Sequence, residues 1–171
     1  TETISHVALR DLKSETSSVF EALPEVTLET DNRSCLIIKA PDIGVNSLLT
    51  NDVVELINSK SFIWKGRIDN VVNSGGVKLY PEDIEQKIGE IGVSFFLSSI
   101  PDQRLGDMLV MFVESKDSVS LEKFERQFRA LSTYEIPKKV FSIKEFIKSA
   151  GGKLDRKATV QGYLNSSEYK N

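Results

Sequence analysis

Apolar and polar positions alternate in short runs through the first third of the chain. Val26-Thr27-Leu28-Glu29-Thr30 has period two and predicts a strand. Asp31-Asn32-Arg33-Ser34 reads as a turn and Cys35-Leu36-Ile37-Ile38 as the returning strand, so a hairpin is predicted. The arrangement repeats as a run over 48–57, a turn at Asn58-Ser59-Lys60 and a strand over 61–65. The second half of 1–10 alternates weakly, as a strand does, while 12–18 and 41–46 read as loops. From Gly66 the pattern changes. Ile84, Ile88 and Ile91 recur at helical spacing and predict an amphipathic helix over 81–90. Strands are predicted over 93–99, 108–114 and 140–143. Leu121, Phe124, Phe128 and Leu131 mark a helix from about Ser120, its cap, to a stop at Pro137. Ser149-Ala150-Gly151-Gly152 reads as a flexible loop, and 155–164 as a last helix. The alternation of strand and helix indicates an α+β fold: a compact domain with a small mixed sheet from about Gly66, preceded by a β-rich segment.

The composition is that of a globular protein, with 40% hydrophobic and 27% charged residues in 171. A net charge of −3 gives no electrostatic case for nucleic acid. The lone cysteine, Cys35, cannot form an intrachain disulfide and fits a reducing compartment, so a cytoplasmic location is expected. One histidine and one cysteine make a zinc site a poor expectation. No apolar run approaches membrane-spanning length, and neither membrane nor signal peptide is expected. The chain opens at Thr1 rather than Met, from which a longer parent protein is expected.

The stretch from Gly66 to Glu85 is the most informative. Arg67 and Asp69 alternate around Ile68, which predicts that they share one face of a strand. Asn73-Ser74-Gly75-Gly76 is turn chemistry. Pro81 suits a first helical turn, and Glu82, Asp83 and Glu85 sit where the helix dipole favours negative charge. A second stretch, 138–157, holds seven basic residues against two acidic ones. A solvated basic surface would explain that run. A lysine on a glycine loop, as Lys153 is, also serves as a mobile point charge on phosphate or carboxylate oxygens.

Both stretches resemble motifs of the adenylate-forming superfamily, which includes acyl-CoA synthetases, peptide-synthetase adenylation domains and luciferases. The first follows the pattern Gly-Arg-x-Asp, spacer, Gly, then Pro-x-Glu-(Ile/Val)-Glu. Gly66, Arg67, Asp69, Gly76, Pro81, Ile84 and Glu85 match it, with Asp83 where the family usually has Glu. The second ends Gly-Lys-(Val/Ile/Leu)-(Asp/Arg)-Arg, matched by Gly152, Lys153, Leu154, Asp155 and Arg156. Ile147 and Ser149 replace the family's upstream Pro and Thr.

The resemblance implies an ATP-dependent ligase that forms an acyl-adenylate and then a CoA thioester, with ATP, Mg²⁺, CoA and a small-molecule carboxylic acid as its partners. Lys153 would be catalytic, contacting the substrate carboxylate and the adenylate oxygens. Asp52, in Thr50-Asn51-Asp52, resembles the family's Thr-Gly-Asp segment and would accept hydrogen bonds from ribose hydroxyls. Asn51 replaces the family's glycine, and a plain turn aspartate is the competing reading. Arg67 would face the nucleotide, the alternative being a surface ion pair with Asp69. Asp69 would be the hinge about which the C-terminal domain rotates between the two half-reactions. Gly75 and Gly76 would approach the pantetheine arm of CoA, where bare backbone fits a narrow ligand. Thr1-Glu2-Thr3 resembles the tail of Tyr-Gly-x-Thr-Glu, so Thr1 would contact phosphate and Glu2 would help hold Mg²⁺. His6 follows closely, and a structural role suits a lone histidine. The implied organisation is 1–65 as the β-rich tail of a large N-terminal domain and 66–171 as a C-terminal lid domain. No Ser/Thr/Gly-rich phosphate loop of the family type is present, so the chain alone is expected to be inactive, its N-terminal domain missing. Trp64, Phe62 and Ile63 would then be exposed for want of sheet partners. The alternatives are another acyl-CoA synthetase, a carrier-protein-loading adenylation domain, and a non-catalytic module that holds an anion on the basic 138–157 face.

Overall fold

The computed structural model describes residues 6–11 and 18–166. The chain divides into two compact units, 1–70 and 71–171. The elements of the first are β1 (Ala8–Leu9), β2 (Val19–Ala22), β3 (Thr27–Thr30), β4 (Cys35–Ala40), β5 (Val45–Asn58) and β6 (Ser61–Arg67). They form one antiparallel sheet in the order β1-β2-β6-β5-β4-β3.

The β3–β4 hairpin is where its turn residues placed it. The Asp31 carboxylate accepts from the Arg33 amide at 2.8 Å and the Cys35 amide at 2.9 Å, and Ser34 takes a φ of 63°. Asn58 closes the β5–β6 turn in the same way, accepting from the Lys60 amide at 2.8 Å. Val53 and Val54 are adjacent and both buried. Val54 packs in the apolar cluster with Leu36 and Phe62, whereas Val53 pairs with Cys35 outside that cluster, and the ladder to β6 shifts register between the two valines. Phe62 is 6% exposed and stacks on Phe20, so the exposed Phe62 expected from sequence is corrected. β2 supplies the missing sheet partner, since Val19 pairs with Ile63 and Phe20 with Phe62.

β6 ends at Arg67, and Ile68–Asn70 forms a 3₁₀ turn. Arg67 and Asp69 therefore do not alternate along one strand, because the chain leaves the extended conformation between them.

The second unit holds β7 (Val72–Ser74), β8 (Val77–Leu79), α1 (Pro81–Ile88), β9 (Phe95–Asp102), β10 (Gly106–Glu114), α2 (Glu125–Phe128), β11 (Val140–Ile143) and α3 (Arg156–Asn165). β10 is the hub, antiparallel to β9 and β7 and parallel to β11, so this sheet is mixed. The apolar run Met108–Val113 explains that position, because a strand covered on both faces needs apolar residues on both. Leu109, Met111 and Val113 join Ile84, Ile88 and Phe124 in one apolar layer. Val110 and Phe112 join Phe96 and Phe146 in another, against which Val160, Tyr163 and Leu164 of α3 pack.

α1 and α2 are shorter than the periodicity suggests, while α3 has the predicted length. α1 stops at Ile88 because Gly89 takes a φ of 69°, and its amide bonds back to the Glu85 carbonyl at 3.0 Å. The predicted helix from Ser120 reduces to a 3₁₀ turn over Leu121–Phe124 and the single turn α2. Ser120 does not cap it; its hydroxyl donates to the Glu122 carboxylate at 2.6 Å. Burying Phe124 and Phe128 satisfies the apolar stripe without a longer helix.

Lys87 ties α1 to the 132–135 turn, bonding Glu135 at 2.5 Å and Asp83 at 2.9 Å. Burial works to raise the Glu135 pKa, but Lys87 and the Ser132 amide outweigh it and hold it below its ordinary 4.5. A depressed carboxylate contributes stability that is fully present above its unfolded value and lost as pH falls through its folded one. Glu135→Gln is therefore expected to flatten the acid limb of stability below pH 4.5. Lys87 is 39% exposed, so the change near neutrality is limited to about 0.2–1 kcal/mol. Urea midpoints measured from pH 3 to 7 check this; an unchanged acid limb would contradict the pairing.

Candidate functional site

The expected nucleotide residues of the first unit meet across β5 and β6. Asp52 lies within β5 opposite Arg67 in the ladder, not in a turn. The Thr50 hydroxyl accepts from the Asp52 amide at 3.1 Å and donates to the Leu36 carbonyl at 2.8 Å, which holds the strand in place of the absent glycine. Asp52 Oδ1 accepts from the Trp64 indole at 3.1 Å, and Arg67 Nη1 stands 3.8 Å away. Arg67 thus pairs with Asp52 rather than Asp69 as the alternative had it. Both side chains remain open to a ligand, Arg67 at 47% and Asp52 at 32% exposure. Asp69 is exposed in the 3₁₀ turn, two residues before the second unit begins.

In the second unit Gly75 and Gly76 form the tip of the β7–β8 hairpin with φ of 59° and 85°. Two successive positive values define the two-residue turn that suits strand twist, and only glycine takes both without strain. Asn73 and Ser74, expected in the turn, lie in β7. The Gly75 amide donates to the Leu105 carbonyl at 2.9 Å, and a Cβ there would meet the Leu105 side chain at 3.3 Å. A Cβ at Gly76 would meet nothing within 4 Å, so that side of the tip is open.

Lys153 is exposed at the end of a pinned loop. The Ser149 amide donates to the Lys153 carbonyl at 2.8 Å and the Gly152 amide to the Ser149 carbonyl at 2.9 Å. Lys148 and Leu154 form a bridge below. Further back, the Asp155 amide donates to the Ile147 carbonyl at 2.9 Å and the Ile147 amide to the Thr159 hydroxyl at 3.0 Å. The flexible loop expected at 149–152 is therefore closed by its own backbone. Asp155 caps α3, accepting from the Ala158 amide at 2.9 Å.

Arg156 does not belong to the basic surface. Its guanidinium grips Glu85 of α1 with both nitrogens, at 2.5 and 2.7 Å, and donates to the Leu97 carbonyl at 3.0 Å. The other basic residues of 138–157 (Lys138, Lys139, Lys144, Lys148, Lys153 and Lys157) are exposed. Burial raises the Glu85 pKa, while Arg156 and the Leu97 amide pull it down. Burial acts to lower the Arg156 pKa, but Glu85 outweighs it and the cation is reinforced.

A cavity of about 390 Å³ beside Lys144 and Tyr163 holds none of the expected site residues. Among the described residues no three His, Cys, Asp or Glu side chains cluster to hold a metal. Thr1 and Glu2, the expected phosphate and Mg²⁺ residues, lie outside the described residues. None of the helices among the described residues is long and apolar enough to cross a membrane.

No family model matches the chain. Among solved structures, an acyl-CoA synthetase (AMP-forming)/AMP-acid ligase II-like protein from Dyadobacter fermentans is 38% identical, with a TM-score of 0.53, over 94% of this chain and 48% of that one. Among curated relatives, a 2,3-dihydroxybenzoate-AMP ligase of Bacillus subtilis is 30% identical over 64% of this chain and 21% of its own length. A 2-succinylbenzoate–CoA ligase of Listeria monocytogenes is 30% identical over 56% of this chain and 21% of its own. These neighbours point to the adenylate-forming acyl-CoA/AMP ligase superfamily. The chain spans about a fifth of the length of these two curated relatives and about half of the Dyadobacter structure.

Within the superfamily pattern, the structure joins what the sequence separates. Glu85 closes the first motif and Arg156 closes the second, and the two bond directly. Beyond these motif positions, the sequence placed Glu85 only with the helix-start acids and Arg156 only in the basic run, whereas the acids in the first turn of α1 are just Glu82 and Asp83. The available signal was that each motif ends on an obligatory charge of opposite sign.

Proposed function

We propose that the parent protein is an ATP-dependent, AMP-forming acid–CoA ligase, and specifically an o-succinylbenzoate–CoA ligase of menaquinone biosynthesis. In this reading 66–171 is the C-terminal lid domain and 1–65 the tail of a large N-terminal domain. The observation that carries it is Lys153, exposed on a backbone-closed loop inside a Gly-Lys-Leu-Asp-Arg run whose last residue is tied to the other motif. In the first half-reaction an oxygen of the substrate carboxylate attacks the α-phosphorus of ATP. The bond to the β-phosphate oxygen breaks, pyrophosphate leaves, and an acyl-adenylate remains. Both reactants are anionic, and a fixed ammonium lowers their repulsion and stabilises charge on the transferring phosphoryl oxygens. Lys153 transfers no proton. Asp52 and Arg67 supply a carboxylate acceptor for ribose hydroxyls and a cation beside it.

In the second half-reaction the CoA sulfur attacks the acyl carbon and AMP leaves. The lid turns about Asp69, withdraws Lys153 and brings the open side of the Gly75–Gly76 tip to the pantetheine arm. Mg²⁺ would neutralise phosphate charge when bound; Glu2 is its proposed ligand.

The succinylbenzoate assignment is supported by the Listeria relative and by Gly-Arg-x-Asp-Asn-Val-Val-Asn-Ser-Gly-Gly-Val-Lys-Leu over 66–79. The Bacillus relative, which makes an AMP ester of an aryl acid, favours the second reading, another acid-activating ligase or a carrier-loading enzyme. An anion-binding module accounts for the exposed lysines but not for the half-buried, bidentate Glu85–Arg156 pair.

The test incubates the parent protein with ATP, Mg²⁺, CoA and o-succinylbenzoate, alongside other aryl and fatty acids, with AMP and thioester followed by mass. Thioester from o-succinylbenzoate alone is the expected result. Thioester from a different acid would keep the mechanism and discard the substrate. No AMP with any acid would overturn both.

A further inference from the structure

Lys153 is three residues from Arg156, and only a capped helix start separates them. The Glu85–Arg156 contact is more than a surface ion pair. Both side chains are largely buried, at 17% and 20% exposure. The guanidinium makes the bidentate geometry that only arginine offers a carboxylate. It also lies 5.5 Å from the centroid of the Phe96 ring. Glu85 has a second tie, accepting from the Leu97 amide at 2.6 Å, while Arg156 donates to the carbonyl of that same residue. Helix α1, strand β9 and the start of α3 are thus cross-linked at one point. From it the chain runs back through the Asp155 cap to Lys153.

We propose that Glu85 and Arg156 are positioning residues for Lys153, a clamp that fixes where the ammonium stands in the adenylation half-reaction. Holding a reacting group in place is worth large factors, and a displacement of about 1 Å can cost about a hundredfold. The lysine is long and exposed, so its base must be held if its tip is to return to one place. The backbone bonds of 147–154 shape the loop, and the clamp anchors it to the body of the unit. The inference rests on the reading of Lys153 as the adenylation lysine.

The experiment uses the parent protein with Arg156→Lys, which keeps the charge and loses the fork, and Glu85→Gln, which keeps the shape and loses the charge. Acyl-adenylate formation is followed by pyrophosphate exchange, and thioester formation from supplied acyl-adenylate separately. Each variant is expected to lower the adenylation kcat by about ten- to a hundredfold, with KM for ATP and the thioester half-reaction within about twofold. Combining Arg156→Lys with Lys153→Ala should be no slower than Lys153→Ala alone, because the clamp acts only through that lysine. Parallel loss of both half-reactions would mark the pair as structural and overturn the proposal. So would multiplicative slowing in the double variant, or a slow Lys153→Ala beside single clamp variants at the parent rate. A Lys153→Ala variant that adenylates normally would overturn the underlying reading, and the clamp with it.

Discussion

Replacing Lys153 by alanine in the parent protein is expected to slow acyl-adenylate formation by about 10²–10³-fold, the usual cost of one preorganised electrostatic group. Thioester formation from supplied acyl-adenylate should be spared. The split follows from geometry and charge. The side chain is exposed on a closed loop and, among the described residues, has no carboxylate partner like the half-buried Glu85 that holds Arg156, so its loss opens no cavity and strands no described charge. A stability explanation for lost activity is thereby weak in advance. The first half-reaction brings carboxylate to phosphate and needs a cation. In the proposed mechanism the second brings sulfur to an acyl carbon and expels AMP, with the lid turned and Lys153 withdrawn. Pyrophosphate exchange measures one step, and mass detection of the thioester from acyl-adenylate measures the other. Equal loss of both would contradict the assigned role.

Local chemistry was readable in the sequence wherever one residue dictates one backbone shape. Gly75-Gly76, Asp31 and Pro81 each did so, and the turns and the helix start lie where they indicated. The short strand β2 was not readable, although β11, equally short, lies at the predicted 140–143. β2 is four residues long with Glu21 inside it, and its strand character comes from its partner β6. The 3₁₀ turn at Ile68–Asn70 was masked by the strand formers Ile68, Val71 and Val72, although Asp69 and Asn70 are poor strand residues. The Ser120 helix failed for a related reason. Periodicity counted the apolar residues correctly, yet Phe124 sits at φ −113° and ψ 7° and leaves the helical region. The candidate site divides along the same line. Motif order pointed to Asp52, Arg67 and Lys153 singly, whereas the bonds of Asp52 to Trp64 and of Arg156 to Glu85 are tertiary facts, the second spanning 71 positions.

Phe112→Ala is expected to destabilise the second unit by about 3–5 kcal/mol, much of the 5–15 kcal/mol a domain usually has. Phe112 is fully buried in β10, whose neighbours are β9 and β11. Its ring stacks on Phe96 at 5.1 Å, lies 5.5 Å from Phe141, and meets the edge of Tyr163 at 5.7 Å. Truncation would remove partners from three rings at once, and strands paired on both sides cannot close over the gap. The consequence reaches the site, because Tyr163 belongs to α3, the helix that Arg156 begins. A cavity there loosens the far end of the element whose near end the clamp holds. Urea unfolding followed by far-UV circular dichroism should show the loss, and Phe112→Leu, which leaves most of the volume filled, should show distinctly less. If the two substitutions cost the same, or if alanine costs under about 1 kcal/mol, the ring cluster is not what holds β10 to α3.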